Sequence, residues 1–195
     1  MGLLLSRGNG KLDKSVLCWS IPPVKSCLNC SDCKSTCYAR LPYNRWPVVQ
    51  KAWDRNFELA KSGEFESLLM TEIKQARNVK TVRIHVAGDF FSQDYIQSWE
   101  RIILKFPNIK FYTYTKVYDK FDFLGLEVYH NMNLINSIAD DGKINYGDEK
   151  RVNELIAMGY KVCPATMKGG VDKVKCGKGC TICHDYNKVA FHQHK

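Results

Sequence analysis

Two spacings of apolar residues alternate along the chain. Residues 16–21 form a short apolar run stopped by Pro22 and Pro23, which predicts a strand. Residues 47–62 open on a proline suited to a first helical turn. They repeat Val48, Ala52, Phe57 and Leu59 at near-helical spacing and close at Gly63. Residues 65–77 carry Leu68, Leu69, Ile73 and Ala76 on one side, a second helix. Residues 81–87 predict a strand running into Gly88-Asp89, and residues 92–106 a helix with Ser92 as N-cap and Pro107 as its stop. A strand at 109–115, a short helix at 120–129, a strand at 133–138, a helix at 150–158 and a short strand at 160–163 complete the pattern. Alternation of this kind predicts parallel strands joined by helical crossovers. The expected fold is therefore α/β, either a partial parallel barrel or an open parallel sheet.

Parallel strands covered on both faces should be almost wholly apolar, and these are not. In residues 81–87, Val82, Ile84 and Val86 share one face while Arg83 and His85 share the other. In the next strand Tyr112 and Tyr114 oppose Phe111, Thr113 and Thr115. A polar inner face suits a cavity that binds something. His85, Asp89 and Tyr114 are the candidate polar contacts there, with hydrogen bonding inside the fold as the alternative for each.

The length of 195 residues, with 45% apolar and 25% charged content, fits one domain spanning 1–195 with a full core. No apolar run approaches the length of a membrane span, so no membrane partner is expected. Met1-Gly2 with Ser6 matches a myristoylation pattern short enough to arise by chance. Asp140-Asp141-Gly142 and Gly147-Asp148-Glu149 fit no complete calcium loop and read as solvated turns.

Charge changes the picture more than composition does. The net charge of +9 is uneven: residues 1–51 carry +6, residues 159–195 carry +5 and the stretch between carries −2. Those two basic ends also hold all nine cysteines. Cys27, Cys30, Cys33 and Cys37 follow the order C-x2-C-x2-C-x3-C, the iron–sulfur run of bacterial ferredoxins with Tyr38 in the place of proline. Cys163, Cys176, Cys180 and Cys183 form a second group, with Gly177 and Gly179 suiting a loop that folds tightly round a metal. Cys18, inside an apolar run, reads as a small buried hydrophobe. An odd cysteine count, and a start without the charged segment and long apolar core of a secretory signal, argue for a reducing cytosol over disulfides. Two groups of four thiols predict one or two [4Fe–4S] clusters, with tetrahedral Zn2+ as the alternative.

If residues 16–21 and 160–163 lie in one parallel sheet, the first cysteine loop (27–37), Cys163 at the head of the second (163–183), and Gly88-Asp89 all sit at strand carboxyl ends. Binding loops collect on that side in α/β folds. All eight candidate ligands would then crowd one rim above the polar face.

Several short stretches carry a resemblance. They are Ser20-Ile21-Pro22 with Lys25-Ser26-Cys27, the Cys33-to-Cys37 step with Tyr38-Ala39, His85 through Phe90 with Ser92, Tyr112 through Lys116, and Cys163-Pro164. Through these the chain resembles a cysteine-rich phage and mobile-element family of the gene product 88 type, over roughly residues 15–184, which implies a bacterial host cytoplasm. More weakly it resembles radical S-adenosylmethionine enzymes. That resemblance implies a partial parallel barrel, a three-cysteine [4Fe–4S] site after the first strand, and a glycine-bearing stretch after the second that meets the methionyl end of S-adenosylmethionine. Gly88 and Asp89 stand in the comparable place. The usual order there is C-x3-C-x2-C, whereas Cys30, Cys33 and Cys37 give the reverse. The implied activity is hydrogen abstraction from a substrate, with the second cluster auxiliary and an electron donor as partner.

Two other classes use the same residues. A zinc-stabilised nucleic-acid-binding module accounts for the basic ends, with Lys173, Lys175 and Lys178 as phosphate contacts. A non-enzymatic iron–sulfur carrier or redox sensor uses the eight thiols, with His184 as a substitute ligand.

Overall fold

The computed structural model describes residues 4–8, 12–28, 30, 34–35, 37–117 and 120–136, with Ala157 and strand segments at 161–162 and 189–190. Five strands form one sheet in chain order: β1 (Ser6–Arg7), β2 (Val16–Cys18), β3 (Thr81–Ile84), β4 (Lys110–Thr115) and β5 (Met132–Asn136). β1 runs antiparallel to β2, and β2 through β5 are parallel, so the sheet is mixed, with β1 and β5 as its edges among the described residues. Parallel neighbours need helical crossovers. The link from β2 to β3 holds α1 (Arg40–Arg45), α2 (Pro47–Ala60) and α3 (Phe65–Gln75). The later links hold α4 (Gln93–Lys105) and α5 (Leu124–Glu127).

Local sequence explains the main helices. Pro47 fills the first turn of α2, where no N–H is needed. At α4, Ser92 Oγ accepts a hydrogen bond from the Tyr95 N–H at 3.2 Å, with Asp94 in the first turn and Lys105 in the last to suit the helix dipole. Its stripe of Tyr95, Ile96, Trp99, Ile102 and Ile103 is buried throughout. Past its end, the Asn131 amide donates to the carbonyls of Ile103, Phe106 and Ile109 at 3.0–3.3 Å, adding to the Phe106 N–H on the first and the Ile109 N–H on the second.

One face of the sheet supplies Leu17, Val82, Ile84, Phe111 and Leu134 to the apolar core, against Phe57, Phe65, Leu69, Ile73, Tyr95 and Trp99 from α2, α3 and α4. Trp19, just past β2, is fully buried 5.3 Å from the Phe65 ring and 6.1 Å from Trp99. A side chain of that size removes about 150–250 Å2 from water, worth about 4–6 kcal/mol. Polar ties fix the chain's start on this layer. The N–H groups of Leu4 and Leu5 donate to the Glu72 carboxylate at 2.8–3.1 Å, and the buried Asn56 amide donates to the carbonyls of Leu4 and Ser20.

The α/β expectation holds in this form, and so do the strands and helices expected between residues 16 and 136, most of them shorter than expected, while β5 begins at Met132, one residue before the strand expected at 133–138. One placement differs. The strand expected at 160–163 is β6 (Lys161–Val162), but it pairs in parallel with β7 (Val189–Ala190) as a separate two-stranded sheet, and not with the sheet that holds β2. Of the helix expected at 150–158, Ala157 is helical and the rest lies outside the described residues. No helix among the described residues is long and apolar enough to cross a membrane.

Candidate functional site at the carboxyl ends of two strands

β2 and β3 stay together beyond their ladder. The Trp19 N–H donates to the Arg83 carbonyl, the Val86 N–H to the Trp19 carbonyl and the Ile21 N–H to the Ala87 carbonyl, at 2.9–3.1 Å. The cysteine loop and Gly88-Asp89 therefore leave the sheet side by side. Gly88 makes that approach possible: at φ +86°, an added Cβ would stand 2.3 Å from Ile21 Cγ1 and 2.7 Å from Ser26 Oγ. Val24 at φ +70° and His85 at φ +60° are held in the left-handed region nearby. For a β-branched valine this costs about 1–2 kcal/mol. A tight turn fixes it there, with the Ser26 hydroxyl donating to the Pro22 carbonyl at 2.6 Å and the Lys25 N–H to the Pro23 carbonyl at 2.8 Å. Strain gathered at strand ends is characteristic of functional rims.

Four thiols are described here, Cys18, Cys27, Cys30 and Cys37, with no disulfide among them. Burial, with the charges of Asp89 and Cys30 added, pushes the Cys27 thiol up to about 12. Metal-free, it is a protonated thiol and no nucleophile at neutral pH; a bound metal would hold the thiolate. The donor chemistry fits a soft metal, yet among the described residues no three metal-ligating side chains converge. Cys33, Cys163, Cys176, Cys180 and Cys183 lie outside the described residues, and so do the second cysteine loop and His184. Cys18 is buried as expected, on the face of the sheet away from the apolar core.

Asp89 ties β3 to β4. One carboxylate oxygen accepts from the Phe90 N–H and the Thr115 hydroxyl, the other from the Lys116 N–H, each at 2.8 Å. Burial raises its carboxyl to about 6, while these three hydrogen bonds hold back a larger rise.

His85 departs from strict alternation. Its positive φ turns the ring away from the side of Arg83 and in among Phe90 and Tyr95, 4.6 and 5.7 Å between centroids. Trp19 Nε1–H donates to the Tyr95 oxygen at 2.8 Å, which leaves the Tyr95 hydroxyl proton for His85 Nε2 at 3.0 Å. The imidazole is then neutral with its proton on Nδ1, a buried nitrogen that has no hydrogen-bond partner. Burial lowers its pKa to about 3.

The second face of the sheet carries Cys18, Arg83, Tyr112 and Asn133 in register, with Tyr114 one step further along β4. The Arg83 guanidinium lies 5.9 Å from the Tyr112 ring centroid and 5.4 Å from that of Tyr114, the tyrosines meeting edge to face. Tyr38 reaches over from the cysteine loop and its hydroxyl donates to the Val86 carbonyl. The residue is 68% exposed, so the crowding that raises its pKa is local to the oxygen. Of the expected site residues, then, the structure brings Cys27, Cys30, Cys37, Gly88 and Asp89 to one rim. It sets Tyr114 on the second face and His85 in the core. Arg83 and Tyr38, which meet at this end of the sheet, are not among the expected site residues; a lone arginine inside the run Val82 to Val86 is the available signal.

No solved structure matches the chain. It is 28% identical to the Gene 88 protein of Mycobacterium phage D29 over 56% of this chain and 50% of that protein. It is 30% identical to the Gene 88 protein of Mycobacterium phage L5 over 44% of this chain and 40% of that one. The chain thus aligns with half or less of the length of these relatives. The model of the Gene product 88 family matches residues 3–192, nearly end to end, and the chain belongs to that family.

Proposed function

We propose that this chain is an iron–sulfur protein of the radical S-adenosylmethionine type. A first [4Fe–4S] cluster would be held by thiols among Cys27, Cys30, Cys33 and Cys37, and an auxiliary one by Cys163, Cys176, Cys180 and Cys183. The observation that carries the reading is the juxtaposition of the cysteine loop with Gly88-Asp89 at the carboxyl ends of two adjacent parallel strands. The unreversed order of β2 to β5 agrees with it, because a partial barrel is wound in that way. When bound, such a cluster supplies one electron for cleavage of S-adenosylmethionine. The chain's own share is positional. Gly88 lets the two loops meet without an intervening side chain, and Asp89, fixed by three donors, holds the backbone that follows β3. The test is the electron-paramagnetic-resonance spectrum of the reduced full chain before and after S-adenosylmethionine, with assay for 5′-deoxyadenosine and methionine. A changed signal with cleavage is expected. An unchanged signal without cleavage refutes the enzyme and leaves an electron carrier or sensor.

One observation favours a nucleic-acid partner as a second reading. Trp46 is 47% exposed with the Arg45 guanidinium 5.7 Å from its ring, a pairing of the kind on which unstacked bases settle. This reading requires oligonucleotide binding that falls steeply with salt, whatever metal the thiols hold.

A further inference from the structure

We propose that Arg83 anchors a small organic anion, a carboxylate or phosphate ester, in a site on the second face of the sheet walled by Tyr112, Tyr114 and Tyr38. This goes beyond the reading above and stands whether or not the thiols hold iron.

Arg83 is a cation with no described counter-charge. Arg83 sits in the middle of β3, only partly exposed, and its Nε is buried with no hydrogen-bond partner. Among the described residues the ion pairs are Lys25–Asp54, Lys61–Glu58 and Arg101–Glu66, and no carboxylate reaches Arg83. The groups that act most strongly on its charge are Tyr38, Tyr112, Tyr114 and Cys18. Tyrosines and a buried thiol are neutral at neutral pH, and the Cys18 thiol is pushed further up by burial. Cation–π contact with two rings offsets part of the desolvation of a guanidinium but supplies no negative charge. Arginine presents paired N–H groups that match the two oxygens of a carboxylate or phosphate.

Position tells how the anion would enter. Cys18, Tyr112, Asn133 and Ile135 are buried, so most of this face is closed. Arg83 and Tyr114 keep part of their surface, and Tyr38 lies beyond them, toward the cysteine rim. The way in is therefore at the carboxyl end of β3 and β4, and an aromatic or apolar body attached to the anion would meet tyrosine rings.

The experiment is calorimetric titration and thermal melting of the full chain with benzoate and with inorganic phosphate, against sodium chloride at matched ionic strength. Wild type is expected to bind at least one probe saturably and to melt higher with it. Benzoate alone would mark a carboxylate ligand, phosphate alone a phosphoryl one. Arg83→Met should weaken binding at least tenfold and Tyr114→Leu several-fold. Without probe, Arg83→Met should melt no lower than wild type, because it removes a half-buried cation whose contacts, the Tyr38 oxygen and two tyrosine rings, supply no negative charge. Three results would each overturn the proposal: binding of neither probe beyond chloride, binding that survives Arg83→Met, or a lower melting point of that variant without anion.

Discussion

Replacing His85 should change the sign of the protein's stability response to acid. The imidazole has a folded pKa near 3 against an ordinary 6.5, because burial excludes the charged form. The unfolded chain therefore binds a proton that the folded one refuses. Stability conferred by neutral His85 is whole above 6.5 and is lost as pH falls from there toward 3, at about 1.4 kcal/mol per unit. Asp89 runs the other way. Its folded pKa near 6 lies above the ordinary 3.8, so its contribution is whole below 3.8 and is lost as pH rises through 6. Going from pH 6 to pH 4, the histidine removes about 2–3 kcal/mol and the aspartate returns about 2 kcal/mol, leaving the pair nearly flat. Asparagine is the replacement that best tolerates φ +60°. In His85→Asn the aspartate acts alone. Urea denaturation of both chains at half-unit intervals from pH 4 to 6.5 measures the difference, in which contributions shared by both chains cancel. The variant should gain about 2–3 kcal/mol relative to wild type between pH 6 and 4. Parallel curves would mean that His85 takes its proton in the folded state as readily as in the unfolded, against its burial among Phe90 and Tyr95.

Two further substitutions test how the rim and the sheet are held. Gly88→Ala places a methyl group 2.3 Å from Ile21 Cγ1 at φ +86°, so a loss of at least about 2 kcal/mol in urea midpoint analysis is expected; a neutral result would mean that the two loops do not meet there. Asn131→Ala removes one donor from each of three carbonyls near the end of α4, two of which keep a backbone N–H, and should cost about 1–2 kcal/mol, with amide exchange rising first in residues 103–111; unchanged exchange would remove its capping role.

Long periodic segments made most of the fold legible. The stripe of α4, its Ser92 cap and Pro107 leave little choice, and β3 and β4 announce themselves through branched and aromatic residues. The two-residue strands β1, β6 and β7 are too short to show a period, so the separate pairing of β6 with β7 had no signal. At the site, the cysteine spacing and Gly88-Asp89 were readable. The orientation of His85 was not, because period-two reasoning assumes extended backbone and one residue at φ +60° breaks it. The isolation of Arg83 from any described carboxylate is a tertiary fact. Its face was readable from period two, but the lack of a described counter-charge was not.

On the proposed reading, the thiols at the rim hold iron and sulfide. Iron, zinc and acid-labile sulfide should be measured on the full chain purified without oxygen. About four or eight iron with equal sulfide per chain is the predicted result, four for one cluster and eight for two. Zinc without sulfide would contradict it, and would turn the cysteines into structural staples of a nucleic-acid-binding protein.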